Sequence, residues 1–149
     1  MKIWTAGLSV LLFAMASCST DKLVDPRLVR TIGVKIEMGV IKVAEDPAPA
    51  NITQNVIKWE LDQATFNAGY RFPEGGIAKE VKAAKPPASC VLIGDFAYAF
   101  HNCGPKQQGK EFRCNRVNRV FEPGACYKYT VTLTGSPAIQ PLDPWIQNN

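Results

Sequence analysis

Tyr127-Lys128-Tyr129-Thr130-Val131-Thr132-Leu133-Thr134 alternates apolar and polar residues without a fault. Successive side chains of a strand point to opposite faces, so the octet reads as a β-strand with one buried and one wet face. The same signature recurs upstream. Ile57, Trp59 and Leu61 alternate with Lys58, Glu60 and Asp62, and Ile32 to Val40 alternates from Thr31 onward. Pro47 and Pro49 are expected to end that earlier strand. Phe66, Tyr70 and Phe72 predict a further strand, closed by Pro73-Glu74-Gly75-Gly76. Leu92, Phe96, Tyr98 and Phe100 are placed on one strand face, and Phe112 to Phe121 forms the next strand, turned by Pro123-Gly124. Residues 79–88, with Pro86-Pro87, read as a surface connection, and 104–109 as a hairpin loop. Six or seven strands separated by turn signals predict an all-β fold, an antiparallel β-sandwich, immunoglobulin-like or similar.

Composition agrees with one domain. The chain has 149 residues, 46% of them hydrophobic, which is enough for a core. Eleven prolines and eleven glycines argue against a helical bundle, and no stretch after the first is apolar over the ~20 residues a bilayer requires. The formal charge is +4.

Residues 1–17 form a short positive head, an apolar run and a small-residue end, the pattern of a secretory signal peptide. Cleavage after Ala14-Met15-Ala16 would release a soluble chain. Met15-Ala16-Ser17-Cys18 instead resembles the lipobox of bacterial lipoproteins, with Met in place of the usual Leu. The resemblance implies that Cys18 is acylated with palmitate-type chains and becomes the first residue of the mature protein. Ser19 implies outer-membrane sorting. Parity favours the lipobox. Taking Cys18 for lipid leaves Cys90, Cys103, Cys114 and Cys126, an even set for an oxidising compartment. Residues 18–31 then form a tether, and 32–149 the folded domain.

Four cysteines allow three pairings. Cys103 and Cys114 flank the 104–113 connection, and Cys90 returns opposite Cys126 on the same hairpin axis. The nested pairing Cys90–Cys126 with Cys103–Cys114 is therefore preferred, and the sequential pairing Cys90–Cys103 with Cys114–Cys126 stands next. Gaps this long lack the close cysteine pairs of a zinc site, so no metal is expected.

No catalytic constellation emerges. His101 is the one histidine, and Cys103 beside it is expected to be in a disulfide. Glu74, Asp95, Glu111 and Glu122 show no spacing that selects an acid–base pair. No cofactor motif is present. Lys106, Lys110, Arg113, Arg116 and Arg119 are the one uneven charge feature. They read as a solvated sheet edge or as a contact for an anionic envelope partner or a protein. An exported chain without repeated aromatic interleaving along this patch is not expected to bind nucleic acid.

The Tyr127-x-Tyr129 strand and the closing Asp143-Pro144-Trp145-Ile146-x-Asn148, with Trp59 and Phe72, are similar to a loose group of small bacterial proteins. That resemblance implies a small β-sandwich and no activity. The expected function is a non-enzymatic envelope lipoprotein, held to the membrane through Cys18, acting as a binding or structural module in the periplasm or at the cell surface. The alternative is a proteinaceous inhibitor or immunity-type lipoprotein that inserts the loop 104–113 into an enzyme or toxin.

Overall fold

The chain orders β1 (Val29–Glu37), β2 (Val40–Val43), β3 (Ala48–Ala50), β4 (Val56–Leu61), α1 (Gln63–Asn67), β5 (Ile77–Lys79), β6 (Leu92–Gly94), α2 (Phe96–Ala99), β7 (Phe100–Lys106), β8 (Glu111–Arg116), β9 (Ala125–Val131) and β10 (Trp145–Asn148). This is a computed structural model, and it describes residues 25–51, 53–79, 85–117 and 123–148. The leader, Cys18, Arg119 and Glu122 lie outside the described residues.

The fold is all-β, built of two sheets. One has the order β2-β1-β4-β8-β7. The other runs β3-β10-β9-β5, with β6 also on β9. Residue 126 pairs with both Gln147 and Ile93, so β6 and β10 flank β9 on opposite sides. The inner faces meet through aromatic rings. Trp59 of the first sheet lies 5.4 Å from Tyr129 of the second, and Phe100 lies 5.5 Å from Tyr127. Phe96 of α2 stacks on Phe100 at 4.4 Å and joins the same core. Offset and edge-on ring pairs of this kind add to the stabilisation from buried area.

The sandwich has two distinct ends. β1 and β4 run parallel in the first sheet, with Val29 beside Val56, and β8 finishes there at Arg116. The start of β9 and the end of β10 lie at that same end, because Arg116 Nη2 donates to Asn148 Oδ1 at 2.9 Å. The opposite end carries the Met38-Gly39 turn, α1 and the turn at Gln107–Gly109.

Several sequence expectations change. Pairing is mixed, since β1–β4, β3–β10 and β6–β9 are parallel. The long alternation from Ile32 to Val40 is two strands. Met38 and Gly39 take positive φ (49° and 76°) and reverse the chain between Glu37 and Val40, a two-residue hairpin turn that perfect alternation conceals. Pro49 does not end a strand but sits within β3, at a sheet edge where a missing N–H breaks no ladder bond. Strand β1 begins at Val29, ahead of the expected boundary at 32.

Two strands read from aromatic spacing contain helices. The Asp62 carboxylate accepts from Thr65 N at 2.8 Å and caps α1, and Asp95 caps α2 through Ala97 N at 2.9 Å. Such caps satisfy otherwise unpaired N–H groups at a helix start. As a result Phe96 is buried while Tyr98 is 69% exposed, so they do not share a face. Phe66 sits in α1, and Arg71 makes a single bridge to Thr134.

Both disulfides take the nested pairing. Cys90–Cys126 has Cα atoms 5.6 Å apart, and Cys103–Cys114 has them 4.1 Å apart.

Candidate binding surfaces

The basic stretch does not form one surface. β8 alternates, with Phe112 and Cys114 toward the core and Glu111, Arg113 and Asn115 on the other face. Arg113 lies on Glu111, donating from Nε at 2.9 Å and Nη2 at 2.6 Å. Gln107 Nε2 donates to the same carboxylate at 2.9 Å, and Lys58 Nζ approaches to 3.7 Å, which leaves Glu111 only 3% exposed. Lys58 in turn pairs with Glu60 at 2.7 Å. This outer face is a charge ladder that neutralises itself.

Arg116 points the other way and is 7% exposed. Its guanidinium donates to Asn51 O at 2.7 Å and to Asn148 Oδ1, and burial lowers its pKa from the usual arginine value. It is a structural residue at the Val29 end and not part of a solvent-facing contact. Lys110 donates to Gln63 Oε1 at 3.0 Å and lies over the Phe66 ring, whose face Arg71 also covers at 3.6 Å. Lys106 is exposed beside the turn, and Arg119 lies outside the described residues. Of the four that are described, Lys106 and Lys110 alone flank a common feature.

That feature is the turn Gln107-Gln108-Gly109. All three residues have positive φ (48°, 56° and 79°). A non-glycine residue in this region costs roughly 1–2 kcal/mol, so the surroundings must hold the turn. They do so on three sides. Phe72 N donates to Gly109 O at 2.8 Å, and Lys110 N closes onto Gln107 O at 3.1 Å. A Cβ at Gly109 would meet Phe72 O at 2.9 Å, so glycine is required there. The side chains of Lys106, Gln107 and Gln108 stay exposed on this fixed backbone.

Beside the turn, the lack of a side chain at Gly33 leaves two adjoining shallow hollows on the outer face of the first sheet. One, of about 550 Å³, is lined by Lys35, Glu37, Lys42 and Asp62, and the other, of about 390 Å³, by Thr31, Glu60, Gln63 and Lys110. Both signs of charge line each hollow, which suits a polar partner better than a simple anion. Sequence reading missed this place, because α1 and the Met38-Gly39 hairpin that frame it were read as strand.

The closing motif is structural. Asn148, fully buried, donates from Nδ2 to Tyr127 Oη at 3.2 Å while accepting from Arg116. Trp145 is buried at the start of β10 under Lys128, whose Nζ lies 5.2 Å from its ring. Tyr129 is fully buried in β9. Its oxygen and the neighbouring Trp59 Nε1 are buried without a hydrogen-bond partner among the described residues.

Burial raises the Tyr129 hydroxyl well above the ordinary tyrosine range, an effect the Trp59 indole partly offsets. The folded chain therefore keeps a proton that the unfolded chain releases near pH ~10. The resulting stabilisation is complete below about pH 10 and is lost as pH rises above it. Urea unfolding followed at pH values on either side of that point should show wild type losing more stability than Tyr129→Phe.

The remaining candidates stay apart. His101 is exposed on β7 beside a register shift, and Cys103 is in a disulfide. Asp95 pairs with Lys79 at 2.8 Å, which lowers its pKa. Among the described residues no group of three or more His, Cys, Asp or Glu side chains could hold a metal ion. No helix there is long and apolar enough to cross a membrane. One surface has no counterpart in the sequence reading. Val91, Leu92 and Ile93 are 78%, 38% and 57% exposed, and Tyr98 of α2, a few residues on, is exposed as well. The chain matches no family model and no curated protein.

Proposed function

We propose that the chain is a lipid-anchored, non-enzymatic binding module of the bacterial envelope, tethered to the outer membrane through acyl chains on Cys18. The observation that carries the anchoring is the cysteine count. Cys90, Cys103, Cys114 and Cys126 are consumed in two bridges, which leaves Cys18 as the one remaining thiol, in a lipobox sequence. An unpaired thiol is uncommon in a disulfide-forming compartment, whereas two or more acyl chains there anchor a protein stably. Labelling with a palmitate analogue should mark wild type and not Cys18→Ala. Label retained by the variant would end the anchoring reading.

Binding is assigned to the Lys106–Lys110 turn and the adjoining hollows. Recognition residues commonly sit on loops fixed by a rigid scaffold. A turn held in a costly conformation, with Lys106 and Gln108 exposed on it, fits a preorganised contact. The same rigidity favours the second reading, an inhibitor or immunity-type lipoprotein that inserts this turn into an envelope enzyme or toxin.

A photo-crosslinking amino acid at Gln108 in living cells should give a discrete adduct that the same group at Ser136 does not. An adduct with an enzyme or toxin whose activity falls on binding would select the inhibitor. Absence of any adduct specific to Gln108 would remove the turn from the binding surface.

A further inference from the structure

We infer that the exposed Val91, Leu92 and Ile93, together with the exposed Tyr98 of α2, form a second membrane contact that seats the folded domain on the bilayer carrying its anchor. The inference rests on the lipid-anchor reading of Cys18. Three exposed apolar residues in succession, Val91 just ahead of the short edge strand β6 and Leu92 and Ile93 within it, are an uncommon surface for a folded domain.

The strip is rigidly held. Val91 N donates to Gly124 O at 2.9 Å, Leu92 pairs with Ala125, and the Cys90–Cys126 bridge fixes the strand start. Gly94 lies against the Tyr127 ring, where a Cβ would come within 2.2 Å. These side chains cannot fold back under the domain without breaking that pairing.

Position selects the occupant. Val91 bonds to Gly124, and Gly124 N donates to Asn148 O at 2.8 Å, so the strip begins at the end of the sandwich that holds Asn148, Arg116 and Val29. Chain order makes Val29 the place where the tether reaches the sheet. Six residues separate Cys18 from Asp25, a span of roughly 25 Å even when fully extended. The described chain then turns at once through Pro26–Leu28 into β1. A tether this short keeps the Val29 end close to the headgroups. It also raises the effective concentration of the strip at the bilayer, so a contact too weak to hold a free protein suffices.

The chemistry fits a lipid interface. No charged residue lies between Cys90 and Gly94, and Asp95 just beyond is paired with Lys79. Inserting Val91 and Ile93 therefore strips water from no lone charge. Tyr98, with an apolar ring and a polar tip, is a residue type enriched at membrane–water boundaries.

The test uses the full mature lipoprotein in phosphatidylethanolamine–phosphatidylglycerol vesicles, with brominated or plain acyl chains. Native Trp59 and Trp145 are buried and provide an unquenched baseline. Val91→Trp and Tyr98→Trp should each lose fluorescence in brominated vesicles, where wild type does not. A further Ile93→Asn change in the Val91→Trp protein should reduce the quenching while the protein still floats with the vesicles. Unchanged fluorescence in both tryptophan variants while the protein floats would overturn the contact and leave the anchor standing. If Cys18→Ala floats as well as wild type, the anchor reading fails instead, and quenching then reports on the strip alone.

Discussion

Replacing Cys90 and Cys126 together by alanine is expected to lower the unfolding free energy by about 4 kcal/mol, measured by urea or guanidinium titration. The bridge closes a loop of 36 residues. In the chain-entropy view, tying such a loop removes roughly this much disorder from the unfolded chain. The Cys103–Cys114 bridge closes 11 residues and should contribute less, about 3 kcal/mol. Location widens the difference. Cys126 is fully buried in β9, against which β6 is held, whereas Cys103 is exposed on an edge strand that β8 already pairs. Loss of the first bridge should also free residues 90–94, visible as faster amide exchange there. Equal losses for the two pairs would show that loop length and the β6 attachment do not govern the effect.

Arg116→Met should cost about 3 kcal/mol, although the residue was first read as part of a binding surface. Methionine can fill part of the space but cannot donate. Asn148 Oδ1 and Asn51 O would then lose the donors at 2.9 and 2.7 Å, and Asn148 is fully buried. A buried polar group left without its partner costs roughly 1–3 kcal/mol. Part of that loss is offset because a desolvated guanidinium is also removed. Lys106→Met should change stability by no more than about 0.5 kcal/mol, since Lys106 is exposed. Chemical denaturation of the two variants side by side separates a structural arginine from a surface lysine. If both were neutral, the Arg116–Asn148–Tyr127 network would not hold this end of the sandwich together.

These two cases show what sequence could and could not reveal. Alternation at Tyr127–Val131 and Ile57–Leu61 identified true strands, because one face of each is pressed against the other sheet. The nested disulfides followed from the same strand logic. Alternation failed where a turn fell in step with the pattern. Met38-Gly39 spends two residues on reversal, so the apolar positions stay in register with the strand before it. It also failed where aromatic spacing masked a helix of four or five residues, and there the better signals were the capping carboxylates Asp62 and Asp95. The basic stretch misled for a different reason. Spacing in the chain says nothing of which arginine turns inward, and Arg116 does so because Asn148, 32 residues later, supplies its acceptor. The rigid turn and hollow were invisible because they depend on Phe72 and Gly33, both remote from Gln108 in sequence.

The placement of β9 governs the order in which the chain can assemble. All five strands of the first sheet lie before residue 117, so that sheet can form once Arg116 is made. The second sheet cannot. Strands β5, β6 and β10 each hydrogen-bond to β9, and β3 joins only through β10. A nascent chain delivered N-terminus first therefore presents Trp59 and Phe112 on an uncovered sheet until about the last sixth of the sequence arrives. For that interval it depends on whatever shields hydrophobic surface along its route. Truncation after Arg116 and before Ala125 should trap that open-faced form, so most of the chain must arrive before the protein is safe from its own core.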